Sequence, residues 1–454
     1  MDIFQNIWPN LGDLWHIFYL VFIKYYGWIV FVIAAIFEFW RLYMIEIQHQ
    51  FVHSQEYTFL SIRVPRENMV STLAVETIFA QLHALHVGKT FPEKYMEGQI
   101  QLWYSLELIS MGGKISFIIR VPNRVKDLAI AAFYAHYPQA EISETEDYLA
   151  NFDYDPEDPD NPYEIFGSEW RLTADDVIPL KTYRDFEHPA AEETVVDPLA
   201  NMFEMLASIK PYEFIGYQII IQPLADEEWQ PRGALKVMEL TQQEIPHKAT
   251  FFGLLLKPFD WFAHFSYRSA FFGGGHHGDG HGDELEKKPR SIWMSMTESE
   301  KERVNLIERK IGKMGYSTKI RMLYIVPKEK FDVSRKGLMC GPWRSIGSVM
   351  TNKLKPDVSY TWTGTDYVFS RTLEAPYLDW LLQYKKRQLF KGYKTREAHH
   401  LGLTTFILNI EELATLYHFP ITTKTTLAPS AVEKTESKKS QPPVNLPIVD
   451  SGNF

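Results

Sequence analysis

Two apolar runs in the first third of the chain end in the same four residues, Ile-Arg-Val-Pro. They are Ile62-Arg-Val-Pro65 and Ile119-Arg-Val-Pro122. Proline suits the end of a strand because it lacks the amide hydrogen that a sheet ladder requires. Apolar residues at helical spacing follow each run, at residues 71–85 and 125–135. The repeated pattern therefore predicts a unit of strand, proline stop and helix.

The pattern of apolar and polar positions over residues 45–145 predicts one complete module. Its elements are a strand at 57–64, a helix at 71–85, a hairpin of strands 99–108 and 115–121, a helix at 125–135 and an edge strand at 140–143. This order, β-α-β-β-α-β, is that of the ferredoxin-like split motif. The predicted core consists of Phe59, Ile62, Phe79, Leu82, Trp103, Leu106, Phe117, Ile119, Leu128 and Phe133.

A second, modified α+β module is predicted for residues 177–420. Its elements are strands at 177–183, 214–222 and 318–326 and helices at 198–209, 297–314 and 331–350. Thr297 and Glu300 have the spacing of a capping box at the start of the long helix. Residues 146–176 are predicted to be an acidic linker, since residues 144–162 contain eight Asp or Glu and no Lys or Arg.

The N-terminal region contains the longest apolar run of the sequence. Residues 15–37 carry one charge, Lys24, and about 20 apolar residues suffice to cross a bilayer core. We therefore predict a short N-terminal segment, 1–14, and a single transmembrane helix within 15–44; a buried helix of a soluble domain is the alternative. Arg41 and Arg63 follow the run, whereas only Asp2 and Asp13 precede it. The positive-inside rule then places the N-terminus outside and the bulk of the chain in the cytoplasm.

Two further segments depart from the modular pattern. Residues 245–292 interrupt the second module with an aromatic stretch that includes Trp261 and Phe262, followed by a string of glycine and histidine. A segment resting on the membrane or a partner-binding hairpin is one interpretation, and a loop folded against the module is the other. Residues 421–454 are rich in Thr, Ser, Lys and Pro, which predicts a flexible tail.

Composition and motifs point away from the common catalytic centres. The net charge of −10 disfavours a general nucleic-acid surface, and the single cysteine, Cys340, allows no intramolecular disulfide. The phosphate-binding P-loop pattern is missing from the sequence, and we expect no catalytic residue and no cofactor. The histidines with metal-binding side chains on the glycine string are weak metal candidates, because nothing in the sequence orients them: His276, His277 and His281.

Other polar groups have simpler interpretations. His83 and His86 are predicted to be ordinary surface histidines, since neither has a partnered carboxylate or thiolate in the sequence. The basic run at residues 385–396 is interleaved with aromatic residues, which suits DNA phosphates or anionic lipid. A solvated helix face is the more common explanation for such a run.

Several motifs together resemble a known set of proteins. They are Ile62 to Asn68, Leu73 to Glu76, Phe79 to His83, Phe117 to Pro122, Tyr134 to Pro138, Ile407 to Pro420 and Gln441 to Pro447. The chain resembles an uncharacterised membrane-anchored family of candidate-phyla bacteria, and with it the N-terminal, non-motor region of type IV secretion or conjugation ATPases of the HerA/FtsK class. The resemblance implies an accessory protein that ends where the motor would begin, with the ATPase on a separate chain.

The predicted function is a non-enzymatic scaffold, anchored in the cytoplasmic membrane, for such an ATPase. The partners expected are the lipid bilayer, the motor and further copies of the chain, with direct nucleic-acid binding left open. The predicted partner-binding residues are Glu411, Glu412, His418, Trp261 and Phe262, although helix capping explains the first three nearly as well. The alternatives are a stand-alone enzyme that handles metal or nucleic acid, and a membrane-shaping protein without a motor.

Overall fold

The computed structural model describes residues 28–65, 70–84, 86–158, 160–186, 197–241, 296–332, 334–364, 371–398 and 405–420. The predicted N-terminal segment, the start of the predicted span, the insertion at 245–292 and the tail at 421–454 lie outside these residues. Within the described part, ten α-helices accompany one antiparallel sheet of nine strands. The prediction of an α+β fold is therefore confirmed.

The elements follow one another as helices and strands of ordinary length. The helices are α1 (Trp28–His53), α2 (Thr72–His83), α3 (Phe91–Tyr95), α4 (Lys126–His136), α5 (Ala200–Ala207), α6 (Asp226–Leu240), α7 (Glu298–Ile311), α8 (Arg335–Cys340), α9 (Arg371–Thr395) and α10 (Ile410–Leu416). The strands are β1 (Tyr57–Arg63), β2 (Tyr104–Met111), β3 (Lys114–Pro122), β4 (Glu141–Thr145), β5 (Tyr163–Leu172), β6 (Phe214–Pro223), β7 (Gly315–Pro327), β8 (Leu354–Pro356) and β9 (Phe406–Asn409).

Helix α1 and the residues around α3 form a compact unit of their own. The C-terminal half of α1 buries Met44 and Gln48. Gly98 adopts a φ of +65°, and a Cβ there would lie 2.5 Å from the carbonyl carbon of Ile47, so only glycine fits this close approach. Among the residues that the structure describes, no helix combines the length and apolar content of a membrane span. Of the predicted span at 15–44, residues 15–27 lie outside the described part.

The second unit is built on the sheet, whose strand order is β4-β1-β3-β2-β6-β7-β5-β8, with β9 paired to β7. The first four strands and helices α2 and α4 give the order β-α-β-β-α-β that the sequence predicts for residues 45–145. The other half repeats the strand order, since β8-β5-β7-β6 corresponds to β4-β1-β3-β2. Strands β2 and β6 join the halves in register from Tyr104↔Ile221 to Met111↔Phe214. One continuous sheet thus connects the two predicted modules.

Strand β5 is the main difference from the sequence analysis. It lies in the predicted acidic linker, whereas the strand predicted at 177–183 is irregular and ends in a short 3-10 turn at Tyr183–Asp185. Strand β5 contains Glu164, Glu169 and Arg171 as well as Gly167, so it lacks the apolar alternation of a half-buried strand. Its polar groups are accommodated because charged side chains of neighbouring elements pair with them.

Apolar side chains pack on both faces of the sheet. The larger core lies on the face covered by helices α2, α4, α5, α8 and α10. On the other face, α9 brings Leu389, Phe390 and Tyr393 against Ile165 and Leu323. Eight of the ten predicted core residues are buried. The prediction for Leu128 is wrong: this side chain is 44 % exposed, and the buried face of α4 consists of Ala129, Ala132 and Phe133. The side chain of Phe59 is only half-buried and lies on the face of the sheet opposite to the main core.

Candidate functional site

Helix α10 follows strand β9 directly and carries two of the predicted partner-binding residues. Asn409 is the N-cap of this helix and forms a capping box with Glu412. The Glu412 backbone amide donates a hydrogen bond to Asn409 Oδ1 at 2.8 Å, and the Asn409 backbone amide donates one to Glu412 Oε2 at 2.9 Å. Every residue of the helix is buried. The sequence Asn409-Ile-Glu-Glu412 therefore sets both the start of the helix and the direction of its carboxylates.

Glu412 forms a fully buried ion pair with Lys310 of α7. Lys310 Nζ lies 2.9 Å from Glu412 Oε2 and donates to the Ile407 carbonyl at 2.9 Å. The Leu180 amide donates to Glu412 Oε1 at 2.7 Å. Burial lowers the pKa of Lys310, and the negative charge of Glu412 opposes this shift. The pair thus ties α10 to α7 and to the segment before the 3-10 turn.

Glu411 lies in a second cluster of charges beside the first. Its carboxylate accepts from Lys313 and Arg309, and Arg184 Nε lies 3.5 Å away. Lys313 also donates to Glu76 of α2, which accepts from the Tyr183 hydroxyl at 2.8 Å. Burial raises the pKa of Glu411, but hydrogen bonds from Lys313 and Thr182 and the nearby cations outweigh it, so that the pKa is lowered. Two carboxylates are therefore shared among three cations.

His418 is buried just after α10. Its Nδ1 lies 2.9 Å from the Ala414 carbonyl oxygen, and its Nε2 lies 3.0 Å from Asp197 Oδ1. Both ring nitrogens thus lie within hydrogen-bond distance of oxygen atoms, which fixes the orientation of the ring. The next side chain, Phe419, packs against Phe117 at a ring-centroid distance of 4.8 Å. The end of the described chain is thereby fixed on the main core.

These positions bear directly on the predicted recognition residues. Glu411, Glu412 and His418 are each exposed by 1 % or less and bonded to other parts of the chain. A partner would reach them only after α10 left the sheet. The remaining predicted site residues, which belong to the insertion, lie outside the described part of the chain: Trp261, Phe262, His276, His277 and His281.

A row of polar side chains on the opposite face of the sheet was missed by the sequence analysis. Glu107, Gln218, Arg321 and Glu169 occupy adjacent positions on four neighbouring strands, β2, β6, β7 and β5. Gln218 Nε2 donates to Glu107 at 3.2 Å, and Arg321 Nε donates to Glu169 at 2.8 Å. Lys319 Nζ lies 3.3 Å from Glu169 Oε2. The available signal was a charged or amide residue inside each of three largely apolar strands, β2, β6 and β7.

Arg396 completes this row from the end of α9. Its Nε donates to Glu107 at 2.9 Å, and its two terminal nitrogens donate to Asp147 at 2.6 and 2.7 Å. The Trp103 indole donates to the Arg396 carbonyl at 2.7 Å. The backbone φ of Arg396 is +56°, a conformation that residues with a Cβ seldom adopt. Burial lowers the pKa of Arg396, but the charge of Glu107 and the hydrogen bonds outweigh it and raise the pKa.

Three other cations of the basic run form ion pairs as well. Arg387 lies 2.8 Å from Asp155 and 2.9 Å from Glu157, Lys394 pairs with Asp153, and Lys386 pairs with Glu164. All four acids belong to the acidic segment that the sequence analysis assigned to a linker. The acidic segment therefore neutralises much of the charge of the basic run.

His83 corrects another prediction. It is buried rather than on the surface, and its Nε2 lies 2.9 Å from the Leu224 carbonyl and 3.2 Å from that of Gly315. The reason is that α2 presents His83 to the edge of the sheet where β6 ends and its neighbour β7 begins. Among the described residues, no group of three or more His, Cys, Asp or Glu side chains could hold a metal ion.

No protein-family model and no curated protein matches this chain. Buried ion pairs hold helices α7, α9 and α10 against the sheet. They are the Lys310–Glu412 pair, the cluster around Glu411, and the row that Arg396 completes. Such an arrangement fixes how these helices are placed on the sheet.

Breaking the Lys310–Glu412 pair is expected to cost much more than breaking an exposed one. We predict that Glu412→Gln lowers the free energy of unfolding by about 3 kcal/mol, because it leaves the Lys310 ammonium buried without a counter-charge. The matched control is Glu239→Gln. Its partner Lys236 lies 2.8 Å away on the same helix, α6, and both side chains reach solvent, so the loss in the free energy of unfolding should stay within about 0.5 kcal/mol. Urea unfolding measures both variants, and equal losses would contradict the prediction.

The stability of the protein should depend on pH through Lys319. Burial lowers the pKa of Lys319 to about 8, although Glu169 opposes the shift, so the folded protein releases a proton that the unfolded chain holds up to about pH 10.4. Between these values the unfolded state binds more protons, and stability rises with pH. Between pH 8 and pH 10, the free energy of unfolding of the wild type should therefore rise by about 2 kcal/mol relative to that of Lys319→Met.

The control for this measurement is Lys391→Met, at an exposed position of α9. Chemical unfolding across the pH range should show no differential gain for that variant. A difference between wild type and Lys319→Met that stays constant with pH would contradict the prediction.

Proposed function

We propose that this chain is a non-enzymatic, membrane-anchored scaffold for a secretion or conjugation ATPase supplied by a separate chain. The anchor is the span predicted at residues 15–44, and the α+β body lies in the cytoplasm. The observation that carries the proposal is the exposure of the apolar first half of α1.

Every residue from 31 to 39 is exposed. This stretch covers more than two helical turns, so the exposed side chains point in all directions around the axis. Phe31, Ile36 and Phe39 are exposed by 64 %, 62 % and 72 %. A helix that is apolar on all sides is stable in lipid or in a protein core. In water, each exposed large apolar side chain lacks the roughly 1.5–3 kcal/mol of stabilisation that burial would provide. Lipid contact accounts for this composition.

The polar residues on α1 are compatible with that environment. Glu38 and Arg41 pair with each other, the Arg41 Nε lying 2.9 and 3.0 Å from the two carboxylate oxygens. Mutual pairing reduces the cost of bringing two charges near a bilayer. Trp40 packs on Tyr43 at 5.8 Å and on Tyr95 at 6.3 Å between ring centroids. Aromatic rings with a polar edge are the side chains that favour the membrane–water interface.

The assignment of a motor as the partner rests on the resemblance of residues 407–420 to the segment that precedes the ATPase domain in related proteins. The contacts of α10 support such a role. Its two carboxylates are anchored on Lys310 and Lys313, and Phe419 is buried beside Phe133 and Tyr137. A segment held in this way starts from a fixed position on the body, which is what positioning a motor requires.

Charges placed on α1 should release the chain from membranes. We predict that Ile33→Lys combined with Ile36→Lys abolishes co-flotation of the full chain with vesicles of phosphatidylcholine and phosphatidylglycerol, because each lysine costs about 3 kcal/mol at the centre of a span. The control is Val349→Lys with Val358→Lys, at positions of the body that are exposed by 85 % and 58 %. Flotation of the α1 variant at the wild-type level would overturn the membrane anchor.

The scaffold role predicts a change in the location of the motor. A HerA/FtsK-class ATPase from the same genome, co-expressed with the full chain, should move from the soluble to the membrane fraction. With the Ile33→Lys, Ile36→Lys variant it should stay soluble and still co-purify with the chain. A motor that fractionates identically with and without this chain would contradict the partnership, and ATP hydrolysis by the purified chain alone would contradict its non-enzymatic character.

A further inference from the structure

The second half of α1 has an exposed polar face that the scaffold function does not use. His49 and His53 stand four residues apart, the spacing that places two side chains on one face of a helix. Their Nε2 atoms are 2.9 Å apart, and their ring centroids are 4.1 Å apart. The sequence signal for this pair is the spacing His-x-x-x-His, which the sequence analysis did not consider.

We propose that His49 and His53 form a bidentate site for a divalent late transition-metal ion, of the copper(II) or nickel(II) type. An imidazole nitrogen binds such ions at about 2.0–2.1 Å. Two ligands at that distance and at the right angle of a tetragonal centre lie about 2.9 Å apart, as the two Nε2 atoms do. The rings are thus already spaced for one ion, and no change of backbone is required.

The bound and free forms differ by a shift of one proton within a ring. In the free form one Nε2–H donates to the lone pair of the other Nε2, which explains the short separation. Binding requires a lone pair on both Nε2 atoms, so the donating ring moves its proton to Nδ1. The metal then replaces the hydrogen bond between the two rings.

The rest of α1 favours binding at this position. The face that includes Met44 and Gln48 is buried, and Gly98 packs against the backbone of Ile47, so the helix is held while the histidine face stays open. Glu46 lies on the same exposed face, where Gln50 Nε2 donates to its carboxylate at 2.7 Å. A nearby negative charge attracts a cation. The chain thus offers two nitrogen ligands, and water completes the coordination.

The test is the binding of copper(II) to the purified full chain. His276, His277 and His281 are replaced by Asn in every sample, so that the glycine–histidine string does not compete. Electron paramagnetic resonance should show two histidine nitrogens in the equatorial plane of a one-to-one complex. His49→Gln should leave one nitrogen and weaken binding by a factor on the order of 10², the advantage of a second ligand on the same molecule.

The matched control keeps the composition and changes only the geometry. His53→Ser combined with Ser54→His places the histidines five residues apart, about 140° around the helix. This variant should lose the two-nitrogen signal as His49→Gln does, while circular dichroism reports an unchanged fold. A parent spectrum with a single nitrogen, or an affinity that neither variant changes, would overturn the proposed site. Neither result would bear on the membrane or motor experiments.

Discussion

The unit built on the sheet, which we call the body, depends on the buried ion pairs of Arg396. Its guanidinium neutralises Glu107 of β2 and Asp147 of the segment after β4, and it lies 4.6 Å from the ring of Phe59 on β1. Glu107 is completely buried at the junction of β2 and β6, where the two halves of the sheet meet. A carboxylate in that position costs several kcal/mol unless a cation pairs with it. Helix α9 supplies the cation from outside the sheet.

The backbone of Arg396 shows what this arrangement demands. Helices commonly end in a left-handed residue, and glycine is usual there because a Cβ costs roughly 1–2 kcal/mol. Here an arginine with a φ of +56° takes that place. Glycine would relieve the backbone but would leave Glu107 and Asp147 without a counter-charge. The need to neutralise the buried carboxylates in the sheet therefore outweighs the preference for glycine at the end of the helix. The Trp103 indole stabilises this backbone conformation by donating a hydrogen bond to the Arg396 carbonyl.

The sequence predicts the first half of the sheet well, and in the second half it also predicts the two central strands, β6 and β7. It misses β5, β8 and β9, for a physical reason. Strands β1 and β3 have apolar residues that pack on one face, and a proline marks the C-terminal end of each strand. The local sequence pattern is therefore enough to predict them. Strand β5 is stabilised by Arg321 and Lys319, which lie some 150 residues further along the chain. No local pattern reveals such a partner. Glu411 and Glu412 illustrate the same limit, because their spacing indicates a cap while their burial depends on the distant Lys310 and Lys313.

Buried ion pairs add little net stability compared with apolar packing, since each ion must first lose its water. What they restrict is geometry, because a charge left unpaired in the interior is far more costly than a shifted methyl group. In this body the pairs lie where independent elements meet: Arg396 at the end of α9, Lys310 between α7 and α10, and Arg321 between β7 and β5. Apolar packing alone would tolerate alternative placements of these helices. We infer that the ion pairs exclude such alternatives and hold these elements in one arrangement.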